Sequence, residues 1–362
     1  MTAPKTQPGN FFEDFRPGQA IVHATPRTVT EGDVSAYLAL FGARFAYTSS
    51  ALFAQAIGFA RAPVDPLLAF HLVFGKSVPD ISLNAIANLG YADGRFGVPV
   101  YPGDTLRTRS TVLGTKPNTD GRTGVVYVRS TGENQRGEMV VQYARWVMVR
   151  RREAVSGSPP EAAHVPTLPA VVPVASIMAP VMGPPASWDP LASGSGFAWE
   201  DYAVGERIDH VDGMTIEESD HMSAARLFQN TARVHFNLHV EREGRFGRRI
   251  VYGGHIISMA RALSFNGLGN SIGPVAIHGG RHVNPSFAGD TIYAWSEVVD
   301  AAPLPDRDDF GTLRVRTVAT KDRPCADFPL HDAGGTYDPA VVLDFDYSVL
   351  VPRRAMLQLP GR

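Results

Sequence analysis

Phe12-Glu13-Asp14-Phe15-Arg16-Pro17-Gly18 returns later in the chain as Trp199-Glu200-Asp201-Tyr202-Ala203-Val204-Gly205. The same offset of 187 residues carries His23 onto His210, Thr28 onto Thr215, Glu31 onto Glu218 and Asp33 onto Asp220. Further on, Tyr101-Pro102-Gly103-Asp104-Thr105 matches Phe287-Ala288-Gly289-Asp290-Thr291 at an offset of 186, and Gly94-Arg95 lands on Gly280-Arg281. Ordered matches at a near-constant offset are the mark of a duplicated unit. The chain therefore reads as a fused tandem, with a first half over residues 10–152 and a second over 197–354. Residues 153–196 between them, rich in Pro, Ala and Ser, read as a linker that mainly tethers and is long enough to pack across the surface.

Each half carries the same pattern. In the first, Ile21 to Thr30 alternates like a strand, Glu31-Gly32-Asp33 opens a helix through Phe41, and Ser49 and Ser50 suit the cap of a short helix ending at Ile57. Leu67 to Phe74 is apolar almost all round, which predicts a helix solvated on no side. Strands are expected at Asn84–Ala92, Thr105–Leu113, Gly124–Ser130 and Met139–Arg150, separated by good turn chemistry. The second half repeats this with a buried helix over His255–Phe265 and strands near Pro274–Val283, Thr291–Val299, Thr312–Thr320 and Val341–Val351. One buried helix followed by an antiparallel meander makes the fold α+β, a sheet curled around that helix, built twice.

Composition narrows the functional classes. The 362 residues include 34 basic and 36 acidic side chains, a formal charge of −2, which argues against a general nucleic-acid binder. Cys325 stands alone, so a disulfide framework within the chain is excluded and a reducing compartment is the simpler expectation. The first eight residues lack the apolar core of a signal peptide. The most apolar run, Ala163 to Ala186, is interrupted by Pro166, Pro169, Pro173, Pro180, Pro184 and Pro185, so a membrane helix is not expected and the cytoplasm is the expected location.

The segment that carries chemistry is Leu227-Phe228-Gln229-Asn230-Thr231-Ala232-Arg233-Val234-His235-Phe236-Asn237, followed by Val251-Tyr252-Gly253-Gly254-His255. It pairs a polar turn delivering Asn230 and His235 with a Gly-Gly pair opening an apolar helix. Together these supply a proton-handling group and backbone N–H donors for an anion.

These motifs resemble those of the MaoC-like enoyl-CoA hydratases, whose architecture is the hotdog fold. The chain is accordingly expected to be a tandem (double) hotdog. The resemblance enters through Tyr101-Pro102-Gly103-Asp104-Thr105, which is similar to the strand-opening motif of those enzymes; they also carry a segment of the form Gly-Asp-x-Asn-Pro-x-His, then a loop ending in His-Gly at the start of the central helix. Asn10-Phe11-Phe12-Glu13-Asp14-Phe15, the Phe228–Asn237 segment and Arg248-Arg249-Ile250-Val251-Tyr252-Gly253-Gly254-His255 look specifically like the mesaconyl-CoA hydratase (β-methylmalyl-CoA dehydratase) family. That narrower resemblance implies a hydro-lyase acting reversibly on a branched C5 dicarboxylic acyl-CoA. It implies no cofactor beyond the CoA of the substrate, and association into a homo-oligomer. A hydratase of another enoyl-CoA, an acyl-CoA thioesterase and a non-catalytic acyl-CoA-binding protein are the alternatives.

The carry-over is uneven. In the first half the motif positions hold Gly42, Ala43, Phe45, Ala46 and Thr48, and the His-Gly has become Asp65-Pro66, whose proline has no N–H to offer. In the second half they hold Gln229, Asn230, Ala232, Arg233 and His235, with Gly253-Gly254 at the start of the helix. The usual aspartate is thus Asn230, which can orient an oxygen but cannot act as a base. Proton transfer falls to His235, and the enolate charge to the N–H groups of Gly253 and Gly254. His255, His278 and His282 rank below His235. Arg44 and Arg233, with Arg61 behind them, are the candidates for binding the free carboxylate, and Arg242, Arg245, Arg248 and Arg249 for the CoA phosphates. No metal site is expected, because His235 and His239 have no accompanying acid in the zinc-protease spacing.

Overall fold

The computed structural model describes residues 5–156, 162–180, 188–305 and 307–357. Parts of the expected linker, 157–161 and 181–187 with Pro184 and Pro185, lie outside the described residues, as do Met1 to Pro4.

Eleven strands form one sheet: β1 Ala20–Thr28, β2 Ala85–Phe96, β3 Thr105–Pro117, β4 Thr123–Glu133, β5 Met139–Arg150, β6 Arg207–Asp209, β7 Met214–Thr215, β8 Ile272–His282, β9 Thr291–Pro303, β10 Phe310–Lys321 and β11 Val341–Pro352. Their order is β1-β3-β4-β5-β2-β8-β11-β10-β9-β6, with β7 pairing to β9. Read from either end, the order is the same unit, and the two units meet through antiparallel pairing of β2 with β8, where Tyr91 faces Gly280 and Arg95 faces Ala276. The duplication seen in sequence is therefore a pseudo-two-fold sheet, the double hotdog.

Each unit wraps one central helix, Pro66–Ile81 in the first half and Gly253–Leu263 in the second. Leu67, Leu68, Phe70, Leu72, Val73 and Val78 are buried in one, and Ile256, Ile257, Met259 and Leu263 in the other. Each such side chain removed from water contributes roughly 1.5–3 kcal/mol. The first helix runs past the expected Phe74 by two turns, and its extension is held to β1, where Lys76 reaches Thr25 Oγ1 at 3.1 Å and Asp80 Oδ2 lies 2.7 Å from His23 Nδ1. The recurring Gly-Asp turns are structural: Asp104 accepts from the Tyr101 N–H at 2.8 Å and Asp290 from the Phe287 N–H at 2.9 Å.

The segment between the halves packs in part. Val172 is buried and donates its N–H to His278 Nδ1 at 2.9 Å, while Trp188 is buried with its Nε1 on Asn270. Among the described residues no helix is long and apolar enough to cross a membrane.

The two central helices approach where the halves meet. Gly75 sits so close to the loop before Asn230 that an added Cβ would lie 1.8 Å from the Phe228 carbonyl oxygen. Only glycine lets the first helix support that loop, which ties the first half to the placement of Asn230.

Candidate active site

The helix Glu218–Leu227 ends in a backbone reversal at Gln229, whose φ of 55° is left-handed. Gly42, its counterpart in the first half, has a φ of 57°. A non-glycine residue costs on the order of 1–2 kcal/mol there, and the reversal is closed by the Asn230 N–H donating to the Ala225 carbonyl at 2.9 Å. It turns Asn230 inward, where it is buried. Asn230 Oδ1 accepts from the Ala232 N–H at 3.2 Å, and Nδ2 has no acceptor. The backbone donor fixes the amide's orientation, so Asn230 offers the site a donor and no base.

His235 lies on the short helix Arg233–Phe236. Its Nδ1 donates to the Ile250 carbonyl at 2.8 Å. A carbonyl can only accept, so the neutral ring carries its proton on Nδ1 and leaves the Nε2 lone pair free. Burial pushes the pKa down to about 4, which keeps the imidazole neutral, with its Nε2 unprotonated, at pH 7. Tyr252 packs with ring centroids 5.7 Å from His235 and caps the helix that begins at Gly253. As first-turn residues, Gly253 and Gly254 have N–H groups without an acceptor inside the helix, pointing along its positive end. A Cβ on Gly253 would fall 2.3 Å from His282 Cε1, and one on Gly254 2.4 Å from the Tyr252 ring, so both positions need glycine.

Asn230, His235 and Gly253 face one cavity of about 630 Å³. Gly254 lies just behind, against Tyr252 and His71. The first half contributes Phe74, Asn88, Tyr91 and Arg145 to its wall, and the second His282 and Ser286. The wall's carboxylates are Glu241 and Glu243, next to the exposed Arg245 and Phe246 at the open end. Neither is bonded to His235. In the first half the corresponding place is an apolar slot of about 50 Å³. There Pro66 takes the position of Gly253 at the start of the helix, and Asp65 spends its carboxylate on the Leu67 N–H.

The expected carboxylate-binding arginines are not in this cavity. Arg44 is exposed and lies over the Phe265 ring at 4.5 Å, and Arg61 bonds to the Pro102 carbonyl. Arg233 turns outward to Asn84 and the Pro8 carbonyl, because a short helix that points His235 inward points its first residue to the surface. Among the other histidines, His282 does reach the cavity, with Nε2 3.3 Å from the Tyr91 hydroxyl. His278 is engaged elsewhere, by Val172 and Ser348, and His255 packs at the edge of Phe41. Of the basic run, Arg245 lines the open end, Arg248 stacks on Phe287 and Arg249 pairs with Glu218. Sequence reasoning missed Tyr252, Asn88 and Arg145. The available signal for Arg145 was its phase, since it alternates with Tyr143, Val147 and Val149 on the inward face of β5.

Burial lowers several imidazoles together: His71 and His255 to about 3, and His210, His221, His235 and His282 to about 4. The unfolded chain, titrating near 6.5, binds protons that the folded one refuses. The resulting stability is therefore present above about pH 6.5 and is lost as pH falls toward 4. Each of the fully buried rings, His71, His210, His221 and His255, costs roughly 2 kcal/mol by pH 5. A steep fall in Tm between pH 6.5 and 5 is expected in thermal scans; a flat Tm over that window would contradict the neutral, buried state of these rings.

Comparison with known proteins adds relatives. A family model described as mesaconyl-CoA hydratase matches residues 2–166. The β-methylmalyl-CoA dehydratase of Chloroflexus aurantiacus is 67% identical over 97% of this chain and 99% of its own length. The mesaconyl-CoA hydratase of Cereibacter sphaeroides is 54% identical over 96% of this chain and 100% of its own. A crystal structure of a MaoC domain dehydratase from Chloroflexus aurantiacus superposes with a TM-score of 0.93 at 66% identity, covering 97% of this chain and 100% of that one. A double-hotdog protein of Mycobacterium tuberculosis superposes with a TM-score of 0.72 at 25% identity, over 95% and 98%.

Proposed function

This chain belongs to the mesaconyl-CoA hydratase family, and from that membership we propose that it reversibly adds water to mesaconyl-CoA to give β-methylmalyl-CoA. It is a hydro-lyase, and it needs no cofactor beyond the CoA that its substrate carries. The observation that supports a mechanism is the placing of a neutral imidazole and of Gly253, the first residue of the central helix, on one cavity.

In this reading His235 Nε2 takes a proton from water while the oxygen bonds to the β-carbon of the conjugated thioester. The π electrons move onto the thioester oxygen, where the Gly253 N–H meets the enolate charge. The imidazolium then returns its proton to the α-carbon, which restores neutral His235. Since one imidazole serves both transfers, hydrogen and hydroxyl add to the same face. Asn230 Nδ2 donates to the water oxygen that becomes the product hydroxyl. Arg245, at the open end, suits the CoA phosphates.

The test is to incubate pure protein with mesaconyl-CoA and with crotonyl-CoA, following loss of the conjugated thioester and appearance of free thiol. Loss of conjugation without thiol, faster for mesaconyl-CoA, is the expected result. Thiol release would make the protein a thioesterase, and silence in both channels a binder. Asn230→Ala is expected to lower kcat by roughly 10–100-fold, for one lost positioning hydrogen bond. Asn230→Asp is expected to keep turnover and, because a carboxylate beside His235 raises the imidazole pKa, to move the acid limb of the rate profile to higher pH. An Asn230→Ala enzyme indistinguishable from wild type would make the residue structural only.

A further inference from the structure

The substrate proposed above carries a free carboxylate on the carbon that water attacks, and the arginines expected to hold it face away from the cavity. Arg145 does line it. This guanidinium, on β5, is fully buried at 0% exposure. Its hydrogen bonds among the described residues go to neutral oxygens: Ser77 Oγ at 3.0 Å, Ser82 Oγ at 3.4 Å and Asn88 Oδ1 at 3.4 Å. Its Cζ lies 4.2 Å from the centre of the Phe74 ring. Nε has no acceptor, and neither has the neighbouring Asn88 Nδ2. Arginine does not shed its proton, so a buried charge sits in the wall with no carboxylate partner among the described residues, beside unused donors.

The duplication provides an internal control for whether the fold needs a cation there. Arg145 faces Tyr91 on β2 and Val128 on β4. The corresponding pairings in the second half are Ile277 with Tyr347 and Val315 with Tyr347, so Tyr347 stands where Arg145 stands. Tyr347 is buried and neutral, and its hydroxyl is satisfied by Thr317 Oγ1 at 3.1 Å. The same sheet position is thus filled without charge in the second half, where Tyr347 does not line the cavity, and by a cation in the first, where Arg145 does.

We propose that Arg145, helped by Asn88 Nδ2, binds the free carboxylate of the acyl group and sets the preference for dicarboxylic over simple enoyl thioesters. The proposal rests on the hydratase reading for the nature of that carboxylate. The contacts connect the two ends of the site: Arg145 stacks on Phe74, Phe74 packs on Tyr252 with centroids 5.2 Å apart, and Tyr252 packs on His235. An ion pair at this place also has a chemical consequence. An unpaired carboxylate next to the electrophilic carbon would repel the hydroxide developing on the attacking water, and the guanidinium removes that repulsion.

The experiment uses two saturated thioesters that cannot be hydrated, methylsuccinyl-CoA and 2-methylbutyryl-CoA, which differ by carboxylate against methyl. By calorimetric titration the wild-type protein is expected to bind the first at least tenfold more tightly. In Arg145→Met that preference is expected to vanish, with affinity for 2-methylbutyryl-CoA changed less than threefold; Arg145→Lys, charged but without the planar fork, is expected to regain part of it. A merely structural arginine would weaken both ligands together. Absence of preference in the wild-type protein overturns the proposal whether or not the variants fold, as does its retention in folded Arg145→Met. Because neither ligand turns over, the result is independent of the mesaconyl-CoA assay: failed hydration there would remove the hydratase reading and leave the carboxylate preference to decide on Arg145.

Discussion

His235→Ala is expected to lower kcat by roughly 10²–10⁴-fold, the usual contribution of a positioned acid–base group, with Tm close to wild type. The effect is large because no other group in the cavity replaces it. Asn230 presents a donor, Glu241 and Glu243 stand toward the open end, and His282 shares its Nε2 with Tyr91. The stability effect is small because the ring makes a single hydrogen bond, to Ile250, at a partly buried position. Steady-state rates with mesaconyl-CoA and a thermal scan decide the matter. Near-normal turnover in a folded His235→Ala protein would remove the residue from proton transfer.

Gly253→Ala is expected to cost roughly 10²–10³ in kcat, the scale of losing one donor to a developing oxyanion. The added methyl would fall within the His282 ring, 2.3 Å from Cε1. Either the imidazole or the first turn of the helix must move, and both border the place proposed for the thioester oxygen. Helix content should persist, since alanine is a good helix former. The comparison of interest is kcat against KM: loss in kcat with little change in KM marks an interaction made mainly in the transition state. A rise in KM alone would reassign Gly253 to ground-state packing.

Much of the fold was legible because a duplication repeats its own punctuation. The Glu-Asp turns, the Gly-Asp turns and the alternating strands each occur twice, and chance mimics one copy far more easily than two. The central helices were legible as apolar runs, although their ends were not: Pro66–Ile81 carries Lys76 and Asp80 beyond the apolar stretch, and sheet contacts, invisible in local sequence, hold that extension. That Asn230, His235 and Gly253 face one cavity was legible because the segments that carry them lie near each other in sequence. Arg44 and Arg233 were misplaced for a physical reason. Proximity to a motif does not fix direction, and a four-residue helix that turns His235 inward sends Arg233 out. Arg145 lay far from the motif and comes to the cavity only through the pairing of β2 with β8, which no periodicity within one half could show.

The emptied first half also becomes intelligible. Pro66 and the slot of about 50 Å³ leave no room and no N–H for chemistry there, while β2, β5 and the first central helix provide Asn88, Tyr91, Arg145 and Phe74 to the cavity of the second half. In the proposed reading the halves divide the work: one retains the reacting motif, the other walls the acyl group.

The most direct measurement is mass spectrometry and proton NMR of mesaconyl-CoA incubated with the protein in deuterium oxide. Hydration through His235 should give β-methylmalyl-CoA with its thioester intact and a single non-exchangeable deuterium on the α-carbon. Recovery of free CoA, or of mesaconyl-CoA unchanged after long incubation, would contradict it.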